Sequence, residues 1–291
     1  MTPRRALLLL LPSILMIGIF MAVPMIVGLV YSFMTADSTG GVEMPFTFDA
    51  YISLLYERDF DDTLLFTSDY LIIILRSVGV AAIVTLLCLV MALPLAWYIT
   101  CQPERRRPGL LFIVSLPFWI NMLIRTYCWV LILRDQGLIN ILLMKLGLIS
   151  SPLPLLYNNG AVFLGLVYTF LPFMVLPIYA TLERQDPKLI EAAFDLYATR
   201  WAVARRVVWP LAKPGVIAGT LLVFAPALGS YLAPDLLGGG KQLYIGNLIQ
   251  MQFSTSRNWP FGAALATLIT VVILGAMIWQ QKRVRRVGLP L

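Results

Sequence analysis

Six stretches of this chain, at 7–32, 71–99, 110–133, 161–182, 216–237 and 263–279, are predominantly apolar over the roughly 17–25 residues that a helix needs to cross the hydrocarbon core of a bilayer. A water-facing fold has nowhere to bury six such runs. Inside a bilayer the backbone must satisfy its own hydrogen bonds, which leaves helices as the expected state of each run. Composition agrees, with 59% of residues hydrophobic and 13% charged, against about 45–50% apolar and about 25% charged in soluble domains. The expected fold class is an all-α integral membrane protein with six transmembrane helices in a single domain, residues 1–291. The first run follows Arg4 and Arg5 in the manner of a signal peptide. It exceeds the roughly 7–15 apolar residues of a signal h-region, however, and is expected to remain as an uncleaved anchor.

Orientation follows from the basic residues, because loops rich in Lys and Arg are retained on the cytoplasmic side during insertion. Of the 22 Lys and Arg residues, 15 fall on one side of the six spans, 5 on the other, and Arg76 and Arg125 inside them. Both termini and the 183–214 loop are therefore expected in the cytoplasm. The net charge of +7 marks loops rather than one continuous face, so nucleic acid is not an expected partner; the lipid bilayer is. The first external loop, 34–69, carries Asp37, Glu43, Asp49, Glu57, Asp59, Asp61, Asp62 and Asp69 against Arg58 alone. Either it is simply a solvated loop, or its field concentrates a cationic solute or docks a basic partner.

Histidine is absent, which removes the commonest general base and metal ligand together. Cys88, Cys101 and Cys128 share no metal-binding spacing and are expected as free thiols. Prolines recur within or at the ends of spans, at Pro24, Pro94, Pro117, Pro172, Pro177, Pro226 and Pro234, where each frees a backbone carbonyl and favours a kink.

The loop 183–214 is polar yet patterned. Asp186-Pro187 reads as an N-cap followed by proline at the first helical position. Leu189, Ala192, Ala193 and Leu196 then fall at i, i+3, i+4 and i+7, one apolar stripe of a short helix with something to pack against. Thr199 can cap a second short helix reaching Val208, after which Pro210 and Pro214 are expected to punctuate the return to the membrane.

This loop resembles that of the permease subunits of binding-protein-dependent ABC importers, through Glu191-Ala192-Ala193, then Tyr197, then Val207-Val208-Trp209-Pro210. The resemblance implies a type I importer permease architecture in which Glu191, Ala192, Ala193, Asp195, Leu196 and Tyr197 form a coupling helix docked against an ATPase subunit. Small alanines suit close approach, and Glu191 offers a charge for a partner Arg or Lys. The departure is Tyr197, where the family usually has glycine. A tyrosine rarely adopts the left-handed conformation that ends such a helix, so the turn is expected to shift to Ala198 and Thr199.

Three further stretches resemble the spermidine/putrescine-type branch of these permeases: Pro117-Phe118-Trp119 through Arg125-Thr126-Tyr127 to Asn140, Pro226 through Pro234-Asp235 to Ile245-Gly246-Asn247, and Asn258-Trp259-Pro260-Phe261-Gly262. The resemblance implies a bacterial inner-membrane subunit that pairs with a second, homologous permease, two ATPase subunits and an extracytoplasmic polyamine-binding protein. Another cationic solute or an oxyanion remains an alternative cargo. A secondary transporter would show inverted repeats and midplane carboxylates; here Asp235 is the only acid within a span and no repeat is apparent.

ATP and Mg are expected in the partner ATPases, with no cofactor and no enzymatic site in this chain. Gly238-Gly239-Gly240-Lys241 superficially suggests a phosphate-binding loop, but the position five before Gly240 is Asp235 and Lys241 is followed by Gln242, which departs from G-x4-G-K-[ST] twice. Among residues inside spans, Arg76 is expected to snorkel. Taking each run as one straight helix at about 1.5 Å per residue places Arg125 and Asp235 at similar depths. They could pair across helices as a tie or gate, or Asp235 could meet a substrate ammonium flanked by Tyr231 and Trp129 through cation–π contacts. These four residues are the candidate substrate path.

Overall fold

The computed structural model describes residues 3–286, apart from 38–39, 59–63 and 187; Asp59, Asp61 and Asp62 of the acidic loop and Pro187 lie outside the described residues. Helix α1 (Pro3–Tyr31) leads into strands β1 (Met34–Ala36) and β2 (Val42–Phe46), the single turn α2 (Asp49–Ile52), and strands β3 (Tyr56–Arg58) and β4 (Leu64–Phe66). Then follow α3 (Asp69–Thr100), α4 (Arg107–Trp119), α5 (Met122–Leu133), α6 (Leu138–Lys145) and α7 (Asn159–Glu183). The chain continues through α8 (Lys188–Asp195), α9 (Arg200–Val203), a π turn (Ala204–Val208), α10 (Trp209–Gly229), α11 (Leu232–Gly238), α12 (Ile245–Ser254) and α13 (Trp259–Arg286). Among the described residues, six helical stretches are long and apolar enough to cross a membrane: Leu10–Tyr31, Asp69–Thr100, Met122–Lys145, Asn159–Glu183, Arg200–Gly229 and Trp259–Ile278.

Three expectations need correction. The run 110–133 is not one helix: α4 stops at Trp119, Ile120 is extended, and Asn121 restarts the chain as the N-cap of α5, accepting the Leu123 N–H at 2.9 Å. The run 216–237 breaks likewise, because Ser230 is extended between α10 and α11. Depths reckoned along straight helices therefore do not apply to Arg125 or Asp235. Conversely, the helix expected to stop near Val208 runs on into α10. Pro210 has no N–H for the Arg206 carbonyl, and the wider π turn absorbs the mismatch, with the Trp209 N–H reaching back five residues to Ala204. Among its described residues the 34–69 loop holds two antiparallel strand pairs.

Contacts gather the chain into two compact units. In the first, Met1–Ile72 with Leu248–Ile278, the hairpins hang on aromatic contacts: Phe33 lies 5.5 Å from Phe48 and 5.2 Å from Tyr51, and Tyr56 packs on its cross-strand partner Phe66 at 6.0 Å. The Tyr51 and Ser32 hydroxyls share a 2.8 Å hydrogen bond at the foot of α1. Asn258 caps α13 by accepting the Phe261 N–H at 3.1 Å, which explains the Asn-Trp-Pro-Phe-Gly run as a helix start.

In the second unit, Ile73–Asn247 with Trp279–Leu291, α7 is the most buried span. Its closest neighbour is α10, and glycine sets the approach. A Cβ on Gly215 would stand 2.5 Å from the Pro177 carbonyl oxygen and 2.8 Å from Ile178 Cα, and one on Gly219 2.7 Å from Met174 Sδ. Helix α11 packs on α7 in the same way, with Gly165 facing Leu237. Asn140, fully buried at the start of α6, donates to the Arg134 and Leu153 carbonyls and accepts the Leu153 N–H at 2.9 Å, so it fastens the α6–α7 connection.

Filling the α7–α10 contact should therefore be costly. Gly215→Val is expected to lower stability by about 1–3 kcal/mol through overpacking, seen as a lower melting temperature in detergent. Gly109→Ala, where a Cβ meets nothing within 4 Å, should leave the melting temperature unchanged or raise it slightly.

Candidate functional site

Both helix breaks open onto one cavity of about 750 Å³ in the second unit. Phe118, Trp119, Ile120 and Asn121 line it from the first break, Gly229, Ser230 and Tyr231 from the second, with Phe170 and Phe173 of α7 between them. Non-helical backbone at membrane depth is tolerated where it lines such a cavity. Gly246 holds the second break in place: a Cβ there would lie 2.7 Å from the Gly229 carbonyl oxygen and 2.8 Å from that of Ser230. Asn247 donates to the Tyr231 carbonyl at 3.2 Å, and the Ile245 N–H donates to Ser77 at 2.8 Å.

Of the four residues expected along a substrate path, two line this cavity and two do not. Arg125 is buried, lines the wall and donates from Nη1 to the Pro117 carbonyl at 2.6 Å. It thus caps the last turn of the broken helix α4, where a cation also faces the negative end of the helix dipole. Tyr231, partly exposed, lines the cavity from the second break.

Asp235 sits one turn into α11, whose buried face is Ala233, Pro234 and Leu237, and its own side chain is exposed and away from the cavity. Arg125 and Asp235 therefore do not pair. Trp129 is also elsewhere, packed edge-on against Tyr168 at 5.5 Å. Tyr168 in turn places its ring 5.9 Å from the Arg125 guanidinium carbon, so the cation–π contact is internal to the chain.

Sequence reasoning missed Tyr168, Thr169 and Ser230. Thr169 lines the cavity and donates to the Gly165 carbonyl at 2.8 Å. Ser230 Oγ and Arg125 Nε are buried without partners. The signal for the first two was present as a Tyr-Thr pair in the middle of an apolar span; for Ser230 it was the Gly-Ser pair closing α10. Among the residues that line the cavity, Arg125 is the one charged side chain.

The second group of expected residues stands on α8. Asp186 accepts the Lys188 N–H at 3.0 Å, as an N-cap should, and Thr199 accepts that of Ala202 at 3.3 Å. Glu191, Ala192 and Asp195 are exposed, Ala193 is half-buried, and no residue of α8 is buried. The apolar stripe is left largely uncovered within the chain: Leu189 is 47% and Leu196 81% exposed.

Helix α8 ends in a Schellman motif, with the Ala198 N–H on the Ala193 carbonyl and the Tyr197 N–H on that of Phe194. The turn does not shift to Ala198 and Thr199, because Tyr197 itself takes the left-handed conformation, φ 59°, with its ring 97% exposed. Two hydrogen bonds and an unobstructed ring hold a conformation that glycine would adopt without strain.

A family model described as "binding-protein-dependent transport system inner membrane component" matches residues 71–288. The chain belongs to this family. It is 42% identical over 272 residues to the spermidine/putrescine transport system permease protein PotB of Escherichia coli K12, covering 92% of this chain and 94% of that protein. PotB of Haemophilus influenzae is 40% identical over 254 residues, 87% of this chain and 85% of that one. A chain in the crystal structure of a bacterial ABC transporter that imports the acidic polysaccharide alginate superposes with TM-score 0.75, covering 96% of this chain and 94% of that one at 21% identity. The fold of this family member is accordingly that of a type I ABC importer permease, multi-pass and built on six membrane-spanning helices.

Two variants test the site's construction. Arg125→Met leaves the Pro117 carbonyl without its donor and should destabilise by about 1.5–3 kcal/mol, the worth of a charged hydrogen bond, read as a lower melting temperature that Arg125→Lys restores in part. Tyr197→Gly should stabilise the end of α8 by up to about 1 kcal/mol, since relief of left-handed strain outweighs the backbone entropy of glycine. Slower amide exchange at Leu196 and Ala198 would register it.

Proposed function

We propose that this chain is a permease subunit of a bacterial ABC importer that carries polyamines of the spermidine/putrescine type across the inner membrane. The observation that carries the reading is 42% identity over nearly the whole of both chains to a spermidine/putrescine permease. The subunit pairs with a second, homologous permease, receives cargo from an extracytoplasmic polyamine-binding protein, and is driven by two cytoplasmic ATPase subunits that bind ATP and Mg. It catalyses no reaction itself. Both termini lie in the cytoplasm, as the asymmetry of Lys and Arg implies.

Helix α8 with Glu191, Ala192, Ala193, Asp195, Leu196 and Tyr197 is the coupling helix. Its apolar stripe is left largely exposed within the chain, which fits a surface covered by an ATPase. The 750 Å³ cavity between the two helix breaks lies on the translocation path, with Tyr231 offering a ring face to an ammonium group. Arg125 keeps a polycation from resting there, so affinity resides mainly in the binding protein. Asp235, outside the cavity, is left as an approach or docking contact.

A second reading, an oxyanion as cargo, is favoured by one observation: the charged residue of the cavity wall is Arg125, with Nε unpartnered. The assembly reconstituted with its binding protein separates the two. Spermidine or putrescine should stimulate ATP hydrolysis, and Glu191→Ala should reduce that stimulation about tenfold by removing a charged contact worth about 1.5 kcal/mol. Stimulation by molybdate or another oxyanion but not by polyamines would overturn the polyamine assignment.

A further inference from the structure

Helix α4 lies on α7 along a half-buried stripe, Leu110, Leu111, Val114 and Pro117, and its two ends carry the specific side-chain contacts. No residue along it is buried. At the cavity end Phe118 packs on Phe173 of α7 at 4.6 Å, and Phe118 and Trp119 form part of the cavity wall. At the other end, Arg107 Nη1 lies 3.8 Å from Glu183 Oε1, and the same carboxylate oxygen accepts a hydrogen bond from the Tyr179 hydroxyl. Arg107 also donates from Nε to the Gln102 carbonyl at 2.9 Å, which pins the α3–α4 turn to the cluster. Among the described residues of 73–247 this is the one ion pair.

Glu183 is the last residue of α7, and only 184–187 separate it from α8. Helix α10, which receives the chain from α9, is locked to α7 by the Gly215 and Gly219 contacts. A displacement of α8 therefore acts on α7 and α10 as one body. Its route to α4 at that end of the unit is the polar cluster.

We propose that Arg107, Glu183 and Tyr179 form a breakable latch that transmits movement of the α8 segment to α4, and through α4 to the aromatic wall of the cavity at Phe118 and Trp119. Arg107 and Glu183 are positioning residues, acting on the cargo path through α4. The proposal rests on the transport reading above only for what the movement accomplishes. Energetics favour a switch over a structural tie. Glu183 is 46% and Arg107 22% exposed, and the pair is 3.8 Å apart, a long, partly solvated contact that adds little to stability and is readily opened and remade. The Gly215 contact, by contrast, has no slack to open.

The experiment uses the full assembly with its partner permease, ATPases and binding protein. Glu183→Gln should raise the ATP hydrolysed per solute imported about fivefold, while the melting temperature of the assembly stays near that of the wild type. The reversed pair, Arg107→Glu with Glu183→Arg, should restore the ratio, and Arg107→Lys should hold it near normal. Spin labels at Gly109, where a side chain meets open space, and at the exposed Arg184 report the α4–α7 separation directly. Glu183→Gln should broaden that distance distribution. An unchanged ratio in Glu183→Gln overturns the latch, as does failure of the reversed pair to restore coupling in an assembly that remains intact. If the wild-type assembly shows no stimulation by its binding protein, the transport reading fails instead. The label distances then still decide the latch, and an unaltered distribution in Glu183→Gln overturns it.

Discussion

A backbone carbonyl that loses its helical donor at membrane depth must find another, and the helix breaks of the second unit are organised around that requirement. When α4 ends at Trp119, the Pro117 carbonyl is met by the Arg125 guanidinium from the first turns of α5. When α10 ends at Gly229, the Ser230 N–H turns back to the Ala227 carbonyl, and the Asn247 side chain adds a donor to the Tyr231 carbonyl that opens α11. Each repair needs space for a polar group within an apolar bundle, and the two repairs together surround one cavity. An arginine inside a span, costly when isolated, is here explained by the carbonyl it serves and the Tyr168 ring beside it.

Helix number was legible in the sequence, and approximate position for all but the third span, which falls at Met122–Lys145 rather than 110–133, because hydropathy integrates over about 20 residues and tolerates local interruption. The same averaging hid the breaks. Asn121 and Ser230 are single polar residues in apolar runs, and a window that detects a span cannot tell a kinked helix from a stopped one. Pro117 and Pro226, three or four residues upstream, marked the regions without fixing the stopping points. Burial was equally hidden. Asp235 reads as an acid within a span, but once α11 is a separate helix its carboxylate lies on the face opposite Ala233, Pro234 and Leu237. Capping residues fared better, since Asp186 and Thr199 act through local geometry that sequence spacing encodes directly.

Tyr197 shows where residue propensity and hydrogen bonding conflict. Propensity disfavours a left-handed tyrosine, yet shifting the turn would forfeit the two Schellman hydrogen bonds at Ala198 and Tyr197. Each such bond is worth about 1 kcal/mol, comparable with the roughly 1–2 kcal/mol of left-handed strain. With its ring 97% exposed, Tyr197 meets no further steric obstacle, and the hydrogen bonds prevail. The end of α8 is thus defined by backbone satisfaction, the same rule that governs the cavity.

Rigidity and compliance are distributed unevenly across the second unit, and glycine and charge mark the difference. Gly165, Gly215 and Gly219 bring α11, α7 and α10 so close that a single methyl group would clash, and close-packed contacts transmit displacement without absorbing it. Helix α4 has no such glycine contact; it meets α7 through a half-buried apolar stripe, one aromatic pair and one polar cluster. For a cationic cargo of the kind proposed, a wall whose charged residue is Arg125 gives no deep energy well. Passage then depends on changing the shape of the cavity rather than on binding within it, and α4, which bears Phe118 and Trp119 and has no fully buried residue, is the part of that wall least embedded in the unit.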